Sequence, residues 1–122
     1  MPCKRPRRKS KNIAMNLPQE IFGDVMVVHS PEELETDQCE GFEEYFSALE
    51  IHNIVLDLDG TESIDSKGLT ALLNVQDMLR EQQGDMKIAA SNINNRKILE
   101  LTRLDQQLEV FESVMDAVKS FH

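Results

Sequence analysis

Along residues 53–59 apolar and polar side chains take turns. Ile54, Leu56 and Leu58 fall on one side of an extended chain, and Val55, Asp57 and Asp59 on the other. This alternation and the branched residues predict a strand over "NIVLDLDG". Acids on one face mean that this face is not buried evenly, so one end of it reaches solvent or a site. Upstream, "NIAMNLPQEIFGDVMVVHS" predicts two short strands, the first interrupted by Pro18, with a turn at Gly23-Asp24. Between these strands and residue 53, Phe42, Phe46 and Leu49 recur at helical spacing, with Gly41 marking an early irregular turn.

The strongest helical pattern is "DSKGLTALLNVQDMLREQQ". Its face is Leu69, Leu72, Leu73, Gln76 and Leu79, with Gln76 the one polar break. Asp65 or Ser66 supplies the N-cap oxygen and Gly84 ends the helix. A strand over "MKIAAS", a helix over "NNRKILELTRL" capped by Asn94 or Asn95, and a strand over "LEVF" follow. The last helix, "SVMDAVKSF", is capped by Ser113 and turns Val114, Ala117, Val118 and Phe121 inward. Strands alternating with helices predict an α/β fold: a mixed, mainly parallel sheet of four to five strands with about four helices packed against it. In such sheets sites form at the carboxyl ends of the strands, which places the stretch 59–68 where function is expected.

Charge divides the chain. Residues 1–11 hold six of the 13 bases and no acid, leaving seven bases and all 22 acids, a formal −15, for residues 12–122. The body therefore repels nucleic acid and suits basic partners. The tail "KRPRRKSK" is expected to be a solvated arm. Its other readings are contact with nucleic acid, anionic lipid or the acidic body of a neighbouring molecule, and Met15 is a candidate start. The tail lacks the apolar stretch of a secretory signal. No apolar run approaches the roughly 20 residues that span a membrane. Cys3, Cys39 and the three scattered histidines offer neither a disulfide framework nor metal-ligand spacing. These features predict one domain over residues 12–122, in the cytoplasm, without a metal site.

Two motifs compete within the expected site. Asp57-Leu58-Asp59-Gly60-Thr61 resembles the nucleophile motif of haloacid-dehalogenase-type phosphohydrolases. That chemistry needs an Asp nucleophile, a second Asp as acid and base, a cation to hold the intermediate, and further acids for Mg²⁺. Asp57 and Asp59 match the first two roles, but no adjacent acidic pair follows a later strand. The chain is also too short for a separate cap domain. The second motif is Ile64-Asp65-Ser66-Lys67-Gly68-Leu69. Together with the strand before it, the leucine-rich helix after it, and the later "MKIAASNINNRKILELTRLD", it resembles the STAS domain of anti-sigma-factor antagonists. On this resemblance Asp59 and Lys67 stand where the family usually has Ser.

The resemblance implies a non-enzymatic binding switch that needs no cofactor, since its kinase supplies ATP and Mg²⁺. The unphosphorylated protein binds an anti-sigma factor that is also a serine kinase. Phosphorylation of Ser66 dissociates the pair, and a separate serine phosphatase restores it. A hydroxyl at a helix N-terminus suits this role, because the helix N–H groups and dipole stabilise an added phosphate. The alternative role for Ser66 is that of an N-cap, worth about 1 kcal/mol. The resemblance further implies that Asp65 orients Ser66 or caps the helix, and that Gly68 lets a partner approach the first turn. Lys67 would pair with a phosphate on Ser66. Leu69 completes the motif, and Glu35 or Asp37 would meet the partner from the first helix. Ser63 is a secondary acceptor. An alternative within the family is a subunit regulating a membrane transport assembly or another enzyme.

Overall fold

The computed structural model describes residues 15–122, so the basic tail lies outside the described residues. In chain order the elements are β1 (Gln19–Phe22), β2 (Val25–His29), β3 (Glu33–Leu34), α1 (Thr36–Ser47), β4 (Asn53–Asp57) and β5 (Ser63–Ile64). They continue with α2 (Ser66–Glu81), β6 (Asp85–Ala89), α3 (Ile93–Leu101), a 3₁₀ turn at Leu104–Gln106, β7 (Val110–Phe111) and α4 (Val114–Lys119). Five strands form one sheet in the order β1-β2-β4-β6-β7. β1 runs antiparallel to β2, and every other neighbour pair is parallel. The expected mixed, mainly parallel architecture is observed.

The alternation in β4 divides the core. Ile54, Leu56 and Leu58 join Met26, Val28, Met86 and Ile88 beneath α1 and α2, together with Leu99 of α3. Val55 joins Val25, Val27 and Ala89 beneath Ala117 and Val118 of α4. Register carries the division across the sheet, with Val27 opposite Val55 and His29 opposite Asp57. The acidic face of β4 thus belongs to the α4 side. It ends at the carboxyl ends of β4 and β2, where Asp57 meets His29.

Several local expectations change. Pro18 precedes β1 rather than interrupting it. A residue without an N–H cannot join the ladder, but its carbonyl accepts the His29 N–H at 2.9 Å. Gly41 lies inside α1, not at a turn, and Met15 packs over it. α3 is capped by Asn92, whose side chain accepts the Asn94 N–H at 2.9 Å, so neither Asn94 nor Asn95 is the cap. At the end of α2 the left-handed residue is Gln83, at φ 67°. Gly84 serves close approach instead, since a Cβ there would overlap the His52 carbonyl. The buried face of α2 includes Ala71 and Val75, while Leu69 and Leu73 sit half-buried at its margin. Gln76, the polar break, is buried and donates to the Gln107 carbonyl at 3.0 Å.

β3 and β5 form a separate two-stranded parallel ladder, pairing Glu33 with Ser63 and Leu34 with Ile64. Strands this short carry no period for a sequence reading to detect. Their effect is to bring the starts of α1 and α2 together.

Candidate functional site

The site is assembled where two chain segments leave the β3–β5 ladder and enter helices. Asp65 is the N-cap of α2. Its Oδ1 accepts the Gly68 N–H at 2.8 Å, satisfying one of the unpaired donors of the first turn. Its Oδ2 accepts both the backbone N–H and the hydroxyl of Thr36, each at 3.0 Å. One carboxylate therefore ties the first turn of α2 to the first residue of α1. The Gly68 N–H, and after it the Thr36 donors, hold the Asp65 carboxyl below the usual aspartate range.

With Asp65 as cap, Ser66 is the first residue of the helix proper. It is exposed, and its hydroxyl has no hydrogen-bond partner among the described residues. The sequence left the N-cap open between Asp65 and Ser66, and the geometry assigns it to Asp65. Lys67 is exposed beside Ser66 and forms no ion pair among the described residues. Ser63 lies half-buried in β5.

Gly68 corrects the expectation attached to it. It is buried, and a Cβ there would overlap the Leu34 carbonyl and press on Ile64. The close approach it permits is to the chain's own β3, so its missing side chain does not open the turn to a partner. Leu69 is half-buried against the main core, and part of it faces outward.

On α1, Glu35 is the residue before the helix. Its N–H donates to Gln38 Oε1 at 3.0 Å, and its carbonyl accepts the Gln38 N–H at 2.9 Å. Asp37 is exposed in the first turn. Both flank Thr36, so the structure brings the α1 and α2 candidates to one rim. Thr36 itself escaped the sequence reading. A Thr at a helix start was the available signal, but its partner lies 29 residues away. Cys39 sits behind the rim and donates to the Glu35 carbonyl at 3.1 Å. Burial, then the nearby Asp65 and Glu43 charges, raise its thiol pKa.

The Asp57–Thr61 string runs from the end of β4 into the loop after it. Asp57 Oδ2 lies 2.9 Å from His29 Nδ1, and Asp57 Oδ1 accepts the Asp59 N–H at 2.9 Å. The Asp59 carboxylate accepts from Ser91 N–H (2.8 Å), the Ser91 hydroxyl (2.8 Å) and the Asn92 N–H (3.1 Å). The Thr61 hydroxyl donates to the Pro31 carbonyl at 2.7 Å. From α3 the buried Asn95 amide donates to the carbonyls of Leu58 (2.7 Å) and Thr61 (3.0 Å). These side chains pin the loop after β4 to the starts of α3 and β3, and the acids of the string are engaged in that work. Among the described residues no group of three or more His, Cys, Asp or Glu side chains is placed to hold a metal ion.

Among the described residues, no helix is long and apolar enough to cross a membrane. The STAS domain family model matches residues 16–117. Among curated proteins none matches the sequence. Solved structures share the fold. A Thermotoga maritima protein provisionally described as an anti-sigma factor antagonist is 24% identical, with 85% of this chain and 92% of that chain covered and a TM-score of 0.76. An anti-sigma factor antagonist from Mycobacterium paratuberculosis is 23% identical over 86% of this chain and 92% of that chain, with a TM-score of 0.75. The phosphorylated form of SpoIIAA, a Bacillus cell fate determinant, is 15% identical over 88% of this chain and 100% of that chain, with a TM-score of 0.65. At these identities the likeness is one of fold.

Proposed function

The chain belongs to the STAS domain family, and on that premise we propose that it is a binding switch of the anti-sigma-factor-antagonist type, controlled by phosphorylation of Ser66. The observation that carries the reading is the division of labour at the start of α2. Asp65 performs the capping, so the neighbouring Ser66 hydroxyl is left exposed and uncommitted. Phosphate can be added there without breaking a bond that holds the helix, and the first-turn N–H groups and dipole favour the anion.

The partner of the unphosphorylated form is an anti-sigma factor with serine-kinase activity. It meets the rim formed by Asp37, Ser66, Lys67 and the outer part of Leu69. A phosphate brings about −1.5 to −2 charges into this contact. Asp65 and Asp37 already make the rim anionic, so the added charge is repelled or poorly solvated in a closed interface. A loss of about 1.4 kcal/mol weakens binding tenfold, and a few such increments dissociate a tight complex. Lys67 lies beside the phosphate and offsets part of the repulsion. A serine phosphatase returns the chain to its binding form. On this reading the protein acts by association in the cytoplasm and draws ATP and Mg²⁺ chemistry from its kinase.

Intact-mass measurement and site mapping after incubation with Mg·ATP and host extract test the proposal, with wild type run beside Ser66→Ala. The expected result is one added phosphate on Ser66, absent from the variant. Phosphate on neither protein, or on Ser63 in both, would overturn the assignment of Ser66.

A further inference from the structure

Between Lys11 and Lys67 the sequence contains fourteen acids and no Lys or Arg. α1 lies in the middle of this interval and carries Asp37, Glu40, Glu43 and Glu44 without a base in its last turn. Glu43 turns toward α2, where its Oε2 accepts from Asn74 at 3.2 Å. Asp37, Glu40 and Glu44 are exposed, at the i, i+3 and i+7 spacing of a single stripe. Like charges at this spacing repel, and Glu44 opposes the dipole at the carboxyl end of the helix. Among the described residues no cation pairs with any of the three acids.

The described chain begins on this stripe. Gly41 shares the face with Asp37 and Glu44, and Met15 packs over it, with Cβ and Cε each 3.8 Å from the position a Gly41 Cβ would take. Tyr45, one residue past Glu44, donates to the Leu17 carbonyl at 3.4 Å and holds the following residues against the same helix. The segment carrying Lys4, Arg5, Arg7, Arg8, Lys9 and Lys11 therefore joins the domain at the middle of the acid row. Lys11 is four residues from Met15, at most roughly 14 Å away when extended. α1, with 12 residues, is about 18 Å long. The extended reach is enough to span the distance to either end of the helix.

We propose that residues 4–11 dock on the outer face of α1, pairing their cations with the Asp37, Glu40 and Glu44 stripe of the same chain. Exposed ion pairs are weak singly and screened by salt, so the docking is a multivalent and salt-labile contact. It shields Asp37, which borders the Ser66 rim, and a basic partner must displace it. The inference does not depend on Ser66 being phosphorylated.

The test uses the full chain with Cys39→Ser, a nitroxide on Cys3, and amide intensities read by NMR. At low salt we expect selective loss of intensity at residues 37–47, with α3 and α4 unaffected. That loss should disappear in high salt and in the Asp37→Asn/Glu40→Gln/Glu44→Gln variant, whose changes are exposed and keep helix-compatible residues. Broadening that is absent, spread over the whole acidic half, or unchanged by salt would overturn the proposal. So would broadening carried over to an unlabelled, ¹⁵N-enriched copy in an equimolar mixture, which would place the contact between molecules.

Discussion

Asp65 and Thr36 are 29 residues apart in sequence, yet the Asp65 Oδ2 atom accepts both donors of Thr36, its N–H and its hydroxyl, at 3.0 Å. This contact makes the first turns of α1 and α2 a single unit. The other oxygen of the same carboxylate caps α2 through the Gly68 N–H, which leaves Ser66 free of that role. A double-mutant cycle of Asp65→Asn and Thr36→Val, read from urea midpoints, should show coupling between the two sites. In Asp65→Asn the Oδ1 acceptor for Gly68 survives, but an N–H₂ replaces the acceptor that faces Thr36. Strict additivity would remove the contact from the account.

The same carboxyl sets a pH dependence. Its folded pKa lies below the ordinary value of 3.8, chiefly because of the Gly68 N–H and then Thr36. A depressed acid stabilises the fold fully above its unfolded pKa, and the contribution is lost as pH falls through the lower folded value. Wild type should therefore exceed Asp65→Asn in stability by a constant margin from about pH 5 upward, and the margin should shrink below about pH 4. Denaturation midpoints of both proteins across this range check the sign. A margin that grows in acid would contradict it.

Gly68→Ala should destabilise the protein without touching a charged or hydroxyl group of the rim. The new Cβ overlaps the Leu34 carbonyl, which is backbone and has little room to move. Overpacking of this kind costs about 1–3 kcal/mol, and chemical denaturation measures it. An unchanged midpoint would show that α2 can shift away from β3.

Asn95→Ala tests the clamp on the Asp57–Thr61 loop. It removes donors from two carbonyls, those of Leu58 and Thr61, at a buried position. Lost bonds and unpaired groups of this kind cost about 1–3 kcal/mol. Amide exchange over residues 58–62 should accelerate together with the drop in stability, because Asn95 donates from α3 to two carbonyls of that loop.

Ser66→Ala, in contrast, should leave stability within about 0.5 kcal/mol of wild type, as exposed substitutions without partners do. Thermal or urea unfolding decides this. A large loss would mean that the hydroxyl has a structural role and would weaken its reading as an uncommitted acceptor.

Much of this molecule was legible in the sequence because its signals are local and periodic. The alternation of Ile54, Leu56 and Leu58 against Val55, Asp57 and Asp59 foretold a sheet with two unlike faces, and both clusters of the core follow it. The apolar spacing of α2 and the cap at Ser113 are local in the same sense. What only the tertiary structure decided depends on partners remote in sequence. Gly68 read as an opening for a partner until Leu34 filled the space. The partners of Asp59, Ser91 and Asn92, lie 32 and 33 residues away and have no signal in the local string. The choice between Asp65 and Ser66 as cap is not encoded by the dipeptide, since either oxygen can serve. Thr36, brought alongside by the two-residue strands β3 and β5, gives the carboxylate a second set of donors that a hydroxyl could not satisfy together with Gly68.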